Sequence, residues 1–319
     1  MTFSRRDFLR DSAQALSAAA LVGLPAVASA AKTHIEVQDV NGLALFTGGG
    51  GNVVALPSAD GALLVDGGLA EYSSAVLKAV ASATNTKRVH TLINTHWHPE
   101  QTGSNEAVGK DGGTLISHEV TRLALGRKNP SALYTGTYGA LPPKALPTVT
   151  TYNTGALEFA GEHVDYRYLP AAHTNGDLFV HFPKHNVIVA GGPVAGHSWP
   201  LIDWLNGGFY HGFLRSYEIL CEVAKPETVV IGADGVPLTG ADIVRHKDVY
   251  WALFKQFFIL FNKGFGPEDV AEFNKGKEFV GVVPVVADRP LKGLIEEMGD
   301  PSEFLEGAYR SLQQATIPH

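Results

Sequence analysis

Apolar positions fall in short runs near the start of the chain, at 35–40, 43–46, 53–56 and 62–65. Glycines punctuate them at Gly48, Gly49, Gly50 and Gly51 and at Gly67 and Gly68. Runs of this length bounded by turn residues predict an antiparallel meander. Residues 72–83 read as a helix, 89–93 as a buried strand, 114–117 as another strand and 118–125 as a helix. The stretch 127–147 is rich in Gly, Pro, Tyr and Lys and has no period. A long irregular loop inside a compact domain is more often functional or mobile than ordinary. Strands resume at 148–151, 157–159, 163–168, 178–182 and 187–190, with one more at 228–231. Helical patterns occupy 208–224, 241–262 and 303–312. Strands followed by helix, twice over, predict an α+β fold, a four-layer αββα sandwich. Each sheet buries its inner face on the other and covers its outer face with helices.

The first thirty residues stand apart from this pattern. Ser4-Arg5-Arg6-Asp7-Phe8-Leu9-Arg10 is a twin-arginine export motif, followed by an apolar stretch over 13–27 and by Ala28-Ser29-Ala30, a small-residue cleavage site. The stretch is short and broken by Pro25, which favours cleavage over a retained membrane anchor. The expectation is a signal peptide over 1–30, a single domain over 31–319 and a periplasmic protein with no stable membrane anchor. Apolar residues make up 45% of the 319, enough for a sizeable core. The net charge of −7 argues against a nucleic-acid partner and implies nothing about the substrate, which is expected to be a small molecule. Cys221 is the one cysteine, so no internal disulfide can form; it reads as a small buried apolar residue in a helix.

The chemistry concentrates in Asn94-Thr95-His96-Trp97-His98-Pro99-Glu100-Gln101-Thr102-Gly103. This segment leaves the strand 89–93, and a strand tip alternates faces with a period of two. His96 and His98 then point to one side, where they can grip one metal ion, and Trp97 points away. His173, in Ala171-Ala172-His173-Thr174-Asn175-Gly176-Asp177, precedes a later strand and is the third candidate ligand. Three histidines form a neutral set that suits Zn²⁺ with an open fourth position, where bound water ionises near neutral pH.

This arrangement resembles the metallo-β-lactamase superfamily of hydrolases over nearly the whole chain after the signal. Gly49-Gly50-Gly51-Asn52-Val53 and Leu64-Val65-Asp66-Gly67-Gly68 resemble its opening strands and buried aspartate. The loop Asn94 to His98, with Thr102-Gly103-Ser104-Asn105, resembles its signature, and His173 to Asp177 its third-histidine segment. Pro200-Leu201-Ile202-Asp203, Asn206-Gly207-Gly208 and the stretch 304–312 are similar to an exported branch grouped with quinoprotein-associated hydrolases. The resemblance implies the fold and does not single out a substrate. The chain departs from the family at the second metal site. Glu100 and Gln101 replace its usual Asp and His, Gly191-Gly192 stands where a bridging aspartate is usual, and Asp234 replaces a late histidine.

Three readings of the altered site follow. In the first, one ion sits on His96, His98 and His173. Glu100 is a fourth ligand or the base that takes a proton from bound water, and Gln101 and Asp234 bind substrate or orient water. In the second, Glu100, Asp234 and Gln101 form an oxygen-rich second site suited to Mn²⁺, Mg²⁺ or Ca²⁺. In the third, the site has decayed. The leading expectation is a metal-dependent hydrolase with one Zn²⁺ (Fe or Mn being the other candidates), acting on an ester, lactone or amide-like bond. The alternatives are a lyase, isomerase or Fe-dependent redox enzyme on the same fold, or a non-catalytic binding protein. Asp66 and Asp177 are candidates to orient the ligating histidines, with a turn role equally open for Asp177. His118 reads as a helix terminus. His197 and His211, near Gly192, read as pocket-lining or surface residues that could also serve a second site. Tyr134, Tyr138, Trp199 and Trp204 could wall a cleft or be local core. Gly48 to Gly51 is no phosphate cradle, because strands flank it on both sides.

Overall fold

The structure, a computed structural model, describes residues 34–131, 133, 134, 136–196, 198–272 and 298–316. The proposed signal over 1–30 and His197 lie outside them. The first half runs β1 (Glu36–Val40), β2 (Leu43–Thr47), β3 (Val53–Leu56), β4 (Ala62–Val65), α1 (Ser73–Thr84), β5 (Val89–Ile93), α2 (Pro99–Thr102), α3 (Asn105–Lys110), β6 (Thr114–His118) and α4 (Glu119–Leu125). Next come the hairpin strands β7 (Asn129–Pro130) and β8 (Thr137–Tyr138), then β9 (Val149–Thr151). The second half holds β10 (Thr154–Phe159), β11 (Glu162–Leu169), β12 (Asp177–Phe182), β13 (Val187–Gly191), α5 (Tyr210–Val223), β14 (Val229–Gly232), β15 (Leu238–Thr239), α6 (Gly240–Asn262), α7 (Pro267–Glu272) and α8 (Ser302–Thr316).

Two sheets result, a seven-stranded one ordered β1-β2-β3-β4-β5-β6-β9 and a six-stranded one ordered β10-β11-β12-β13-β14-β15. The period-two alternation along the strands creates the layers. Leu45, Val54, Leu63, Val65 and Ile93 point inward and meet Val164, Val180, Val189 and Ile231 of the other sheet. Their neighbours Phe46, Val53, Ala55, Leu64 and Leu92 point outward, onto Val76 and Val80 of α1 and Val108 of α3. On the far side, Phe179, Ile188, Ala190 and Val230 are covered by α5, α6 and α8 through side chains such as Phe213, Tyr250 and Phe304. Burying side chains of this size contributes about 1.5–3 kcal/mol each, so both faces of both sheets hold the sandwich together.

The expected αββα sandwich is therefore the observed one, and most strands fall within a residue or two of their expected bounds. The differences are local. The stretch 127–147 contains the β7–β8 hairpin, whose two-residue strands are too short to show a period. The short helices α2 and α3 follow the histidine loop for the same reason unannounced. Cys221 is half-buried at the edge of the helical layer rather than fully enclosed. Trp199 is core rather than cleft, and Trp204 is partly buried against the same layer. Trp199 stacks on Phe304 at 5.3 Å, and Trp204 packs on the same layer with the Arg310 guanidinium over its ring.

The parallel pairs β4–β5 and β13–β14 end at the same edge of the sandwich, where β12 begins. Asp66, the histidine loop, His173, Gly192 and Asp234 all follow or precede these strand ends, so the topology gathers the candidate chemistry there.

Candidate metal centre

His96 and His98 are beyond the strand. β5 stops at Ile93 and the chain bends through 95–98 before α2. The alternation survives the bend. Trp97 enters a separate cluster with Ala124 and Leu125 and stacks on Tyr138, while the flanking histidines turn the other way. His96, His98 and His173 are 1%, 1% and 2% exposed. One ring nitrogen from each lies within 4.8 Å of the others. The three rings stand nearly perpendicular, with centroids 4.6–4.8 Å apart.

Hydrogen bonds on the outer nitrogens set the tautomers. His173 Nδ1 lies 2.5 Å from the Leu201 carbonyl oxygen, which only accepts, so Nδ1 carries the proton and Nε2 the lone pair. His98 Nε2 lies 3.0 Å from Asp203 Oδ2, which leaves Nδ1 free on the inner side. With Asp66 ionised, Thr95 Oγ1 donates to Asp66 Oδ2 at 2.8 Å and accepts from His96 Nδ1 at 3.0 Å, which turns His96 Nε2 to the inner side. Three lone pairs thus converge, those of His98 and His173 only 2.8 Å apart. A cation among the three rings satisfies all of them, so a divalent ion fits this donor set, and all-nitrogen donors suit Zn²⁺.

Asp203 was not among the expected site residues, and it organises two of the ligands. Besides its bond to His98, its backbone N donates to the His173 carbonyl oxygen at 2.8 Å. Its Oδ2 also accepts from Ser131 Oγ and Asn206 Nδ2, each at 2.9 Å. Burial raises the Asp203 carboxyl, but the hydrogen bonds from His98, Ser131 and Asn206 oppose it, and the group lies below the usual carboxylate range. No local pattern reveals a carboxylate thirty residues past His173; the only signal is the Pro200-Leu201-Ile202-Asp203 motif itself.

Asp66 acts one bond further out. It accepts from Thr95 N and Oγ1, and so fixes the hydroxyl that receives His96. Its φ of 64° is left-handed, a conformation Asp tolerates better than most residues. Burial pushes its carboxyl up to about 8 against the lowering effect of both Thr95 bonds. Asp177 accepts from Thr174 N and Oγ1 at 2.8 Å each, bracing the turn that carries His173, and burial pushes it up to about 7.

Glu100 and Gln101 lie on α2, directly after the histidine loop, and both are buried. Tyr134 OH is within reach of both Glu100 carboxylate oxygens, at 3.0 and 2.7 Å, and its ring meets the His98 ring edge-on at 5.3 Å. Gln101 is fully buried, and neither of its amide atoms has a hydrogen-bond partner among the described residues. Gly51 makes room for it: a Cβ there would lie 3.2 Å from Gln101 Nε2 and 2.9 Å from the Glu100 carbonyl oxygen. Asp234 sits half-buried past β14, in a loop tied down by Asn52 Nδ2 bonds to the carbonyls of Gly232 and Gly235. Among the described residues, His96, His98 and His173 form the one group of three or more such side chains able to hold a metal, and Glu100 and Asp234 do not join it.

Gly192 lies against the third ligand. A Cβ there would fall 2.2 Å from His173 Cδ2. His211 is exposed and packs on Trp251 and Phe254, away from the centre. His118 caps α4 by accepting from Val120 N. Tyr138 bonds Thr102 Oγ1 at 2.8 Å and closes the hairpin onto the histidine loop.

The family model for the metallo-β-lactamase superfamily matches residues 46–233. Among solved structures, a metallo-β-lactamase from Pontibacter korlensis aligns at a TM-score of 0.52 and 16% identity, covering 68% of this chain and 93% of its own. One from Hirschia baltica aligns at 0.52 and 19% identity, covering 68% and 97%. A stereoselective inverting sec-alkylsulfatase from Pseudomonas sp. aligns at 0.64 and 15% identity, covering 89% of this chain and 50% of its own. At these identities the likeness speaks for the fold alone. No curated protein matches the sequence.

Proposed function

This chain belongs to the metallo-β-lactamase superfamily, and on that premise we propose that it is a metal-dependent hydrolase with a single-ion centre on His96, His98 and His173. The observation that carries this reading is the convergence of three buried imidazole nitrogens whose outer nitrogens are all engaged. An ion held there, Zn²⁺ by preference, supplies Lewis-acid polarisation and lowers the pKa of water. The protein's own residues do the rest. Asp203, Leu201 and the Asp66–Thr95 pair hold the three rings in the ligating tautomer. Glu100 is the general base, its carboxylate positioned by Tyr134 to take a proton from the attacking water. Gln101 offers a buried carboxamide to a polar group of the substrate, and Asp234, half-buried past β14, orients substrate. The proposed substrate class is a small molecule with an ester, lactone or amide-like bond, and the proposed location is the periplasm, from the motif at 4–10.

A single ion rather than two is supported by Gly192. Its position offers no ligand and leaves no room for one while His173 holds its place. Metal analysis of the purified chain is the test. About one Zn per chain, lost in His96→Ala, is expected. Two ions per chain would overturn the single-ion reading, and iron would move the assignment to a redox enzyme. A hydrolase screen comparing wild type with Glu100→Ala then tests the base, for which unchanged turnover is the contrary result.

A further inference from the structure

The β7–β8 hairpin places Ser131 between its strands, and the Ser131 hydroxyl is fixed in direction. Leu133 N donates to Ser131 Oγ at 3.0 Å, so the hydroxyl hydrogen is directed to its other partner, Asp203 Oδ2, at 2.9 Å. That same oxygen receives His98 Nε2 at 3.0 Å and Asn206 Nδ2 at 2.9 Å. Three donors saturate one carboxylate oxygen, and Asp203 is fully buried, so the oxygen has no solvent to fall back on. The Asn206 amide also donates to the Pro130 carbonyl oxygen at 2.7 Å, which ties the hairpin to the loop that carries Asp203. The result is a chain of contacts from the hairpin through a carboxylate to a ligating imidazole.

We propose that Ser131 is a positioning residue of the metal centre, orienting the His98 ring through Asp203. The inference rests on the metal reading of the three histidines and adds to it an element remote in sequence. The hairpin meets the site at a second point, Tyr134 on Glu100, and this supplies an internal control. Tyr134→Phe loosens the hairpin at Glu100 but keeps the ring against His98 and leaves Asp203 untouched. Ser131→Ala removes the hydroxyl that joins Asp203 and Leu133. Ser131→Thr restores a hydroxyl at the same place.

The test uses the purified full chain, with Zn²⁺ titrated against a chelating dye and Co²⁺ as a spectroscopic probe. Ser131→Ala is expected to weaken Zn²⁺ binding several-fold, less than loss of a ligand's own hydrogen-bonding partner costs, and to shift the visible bands of bound Co²⁺. Ser131→Thr should recover both, and Tyr134→Phe should keep wild-type affinity. Wild-type affinity in Ser131→Ala would overturn the proposal. So would equal losses in Ser131→Ala and Tyr134→Phe, which would make the hairpin a general brace. A wild-type chain that binds neither ion would overturn the metal reading itself and this inference with it, a result distinct from either.

Discussion

His98 Nε2 lies 3.0 Å from Asp203 Oδ2, a buried pair joined across 105 residues of sequence. The carboxylate holds the proton on the outer nitrogen and turns Nδ1 toward His173. Removing such a partner typically costs 10–100-fold in metal affinity. Asp203→Asn keeps the size and an acceptor but loses the charge. It is therefore expected to weaken Zn²⁺ binding by about 10-fold or more and, because the depressed Asp203 carboxyl contributes stability at neutral pH that the amide does not, to lower the thermal midpoint of the metal-free chain as well. Chelator competition measures the first and calorimetry the second. Wild-type affinity in this variant would show that the pair does not set the ligand.

Gly192 carries a second expectation. Restoring the family's usual aspartate there should fail to build a two-ion site, because a Cβ would sit 2.2 Å from the His173 ring. The ring is held on its far side by the bond from Nδ1 to the Leu201 carbonyl oxygen, which resists its displacement. Gly192→Ala is thus expected to destabilise the chain by roughly 1–3 kcal/mol, the usual cost of overpacking, and to weaken the first ion. Metal analysis of Gly192→Asp decides the matter. Two ions per chain would show that the corner can repack.

The fold was legible because neighbouring residues in each strand go to different layers. Leu45 and Phe46, or Leu64 and Val65, separate between the sheet interface and the helical face, and their apolar runs mark buried strands. The His96–His98 pair was legible from spacing, even though both lie beyond β5, since Trp97 still takes the opposite side, and His173 from its place before a later strand. Asp203 was not, because its role comes from packing a distant loop against His98. The β7–β8 hairpin was not, because two-residue strands carry no period. Trp199 and Trp204 illustrate the converse. An aromatic in a loop looks the same whether it walls a cleft, fills the core under α8 as Trp199 does, or lies partly buried against it as Trp204 does.

Asp66 predicts a pH dependence for the metal-free chain. Burial raises its folded pKa to about 8, far above the unfolded value near 4. Between these values the native state holds a proton that the unfolded chain has lost, so stability falls as pH rises. The contribution is complete below about pH 4 and gone above about pH 8. Asp177, raised to about 7 for the same cause, acts in the same direction. Urea midpoints of the metal-free protein should therefore decline from pH 5.5 to about 8, and Asp66→Asn should flatten that decline. A wild-type midpoint that rises over this range would contradict the assignment.

Gln101 separates stability from function. Its carboxamide is buried with neither amide atom partnered among the described residues, and each such group costs about 1–3 kcal/mol when left unsatisfied. A side chain held at that cost is expected to serve a ligand. Gln101→Met keeps the length and removes both polar atoms. It should raise stability by about 1 kcal/mol, or about 1–2 °C in thermal midpoint for a chain of this size. Zinc content should stay unchanged, since Gln101 lies outside the three-histidine group, while turnover of any substrate found in the hydrolase screen should fall sharply. A lower thermal midpoint in Gln101→Met would mean that the amide supports the fold, and its role in substrate binding would then be lost.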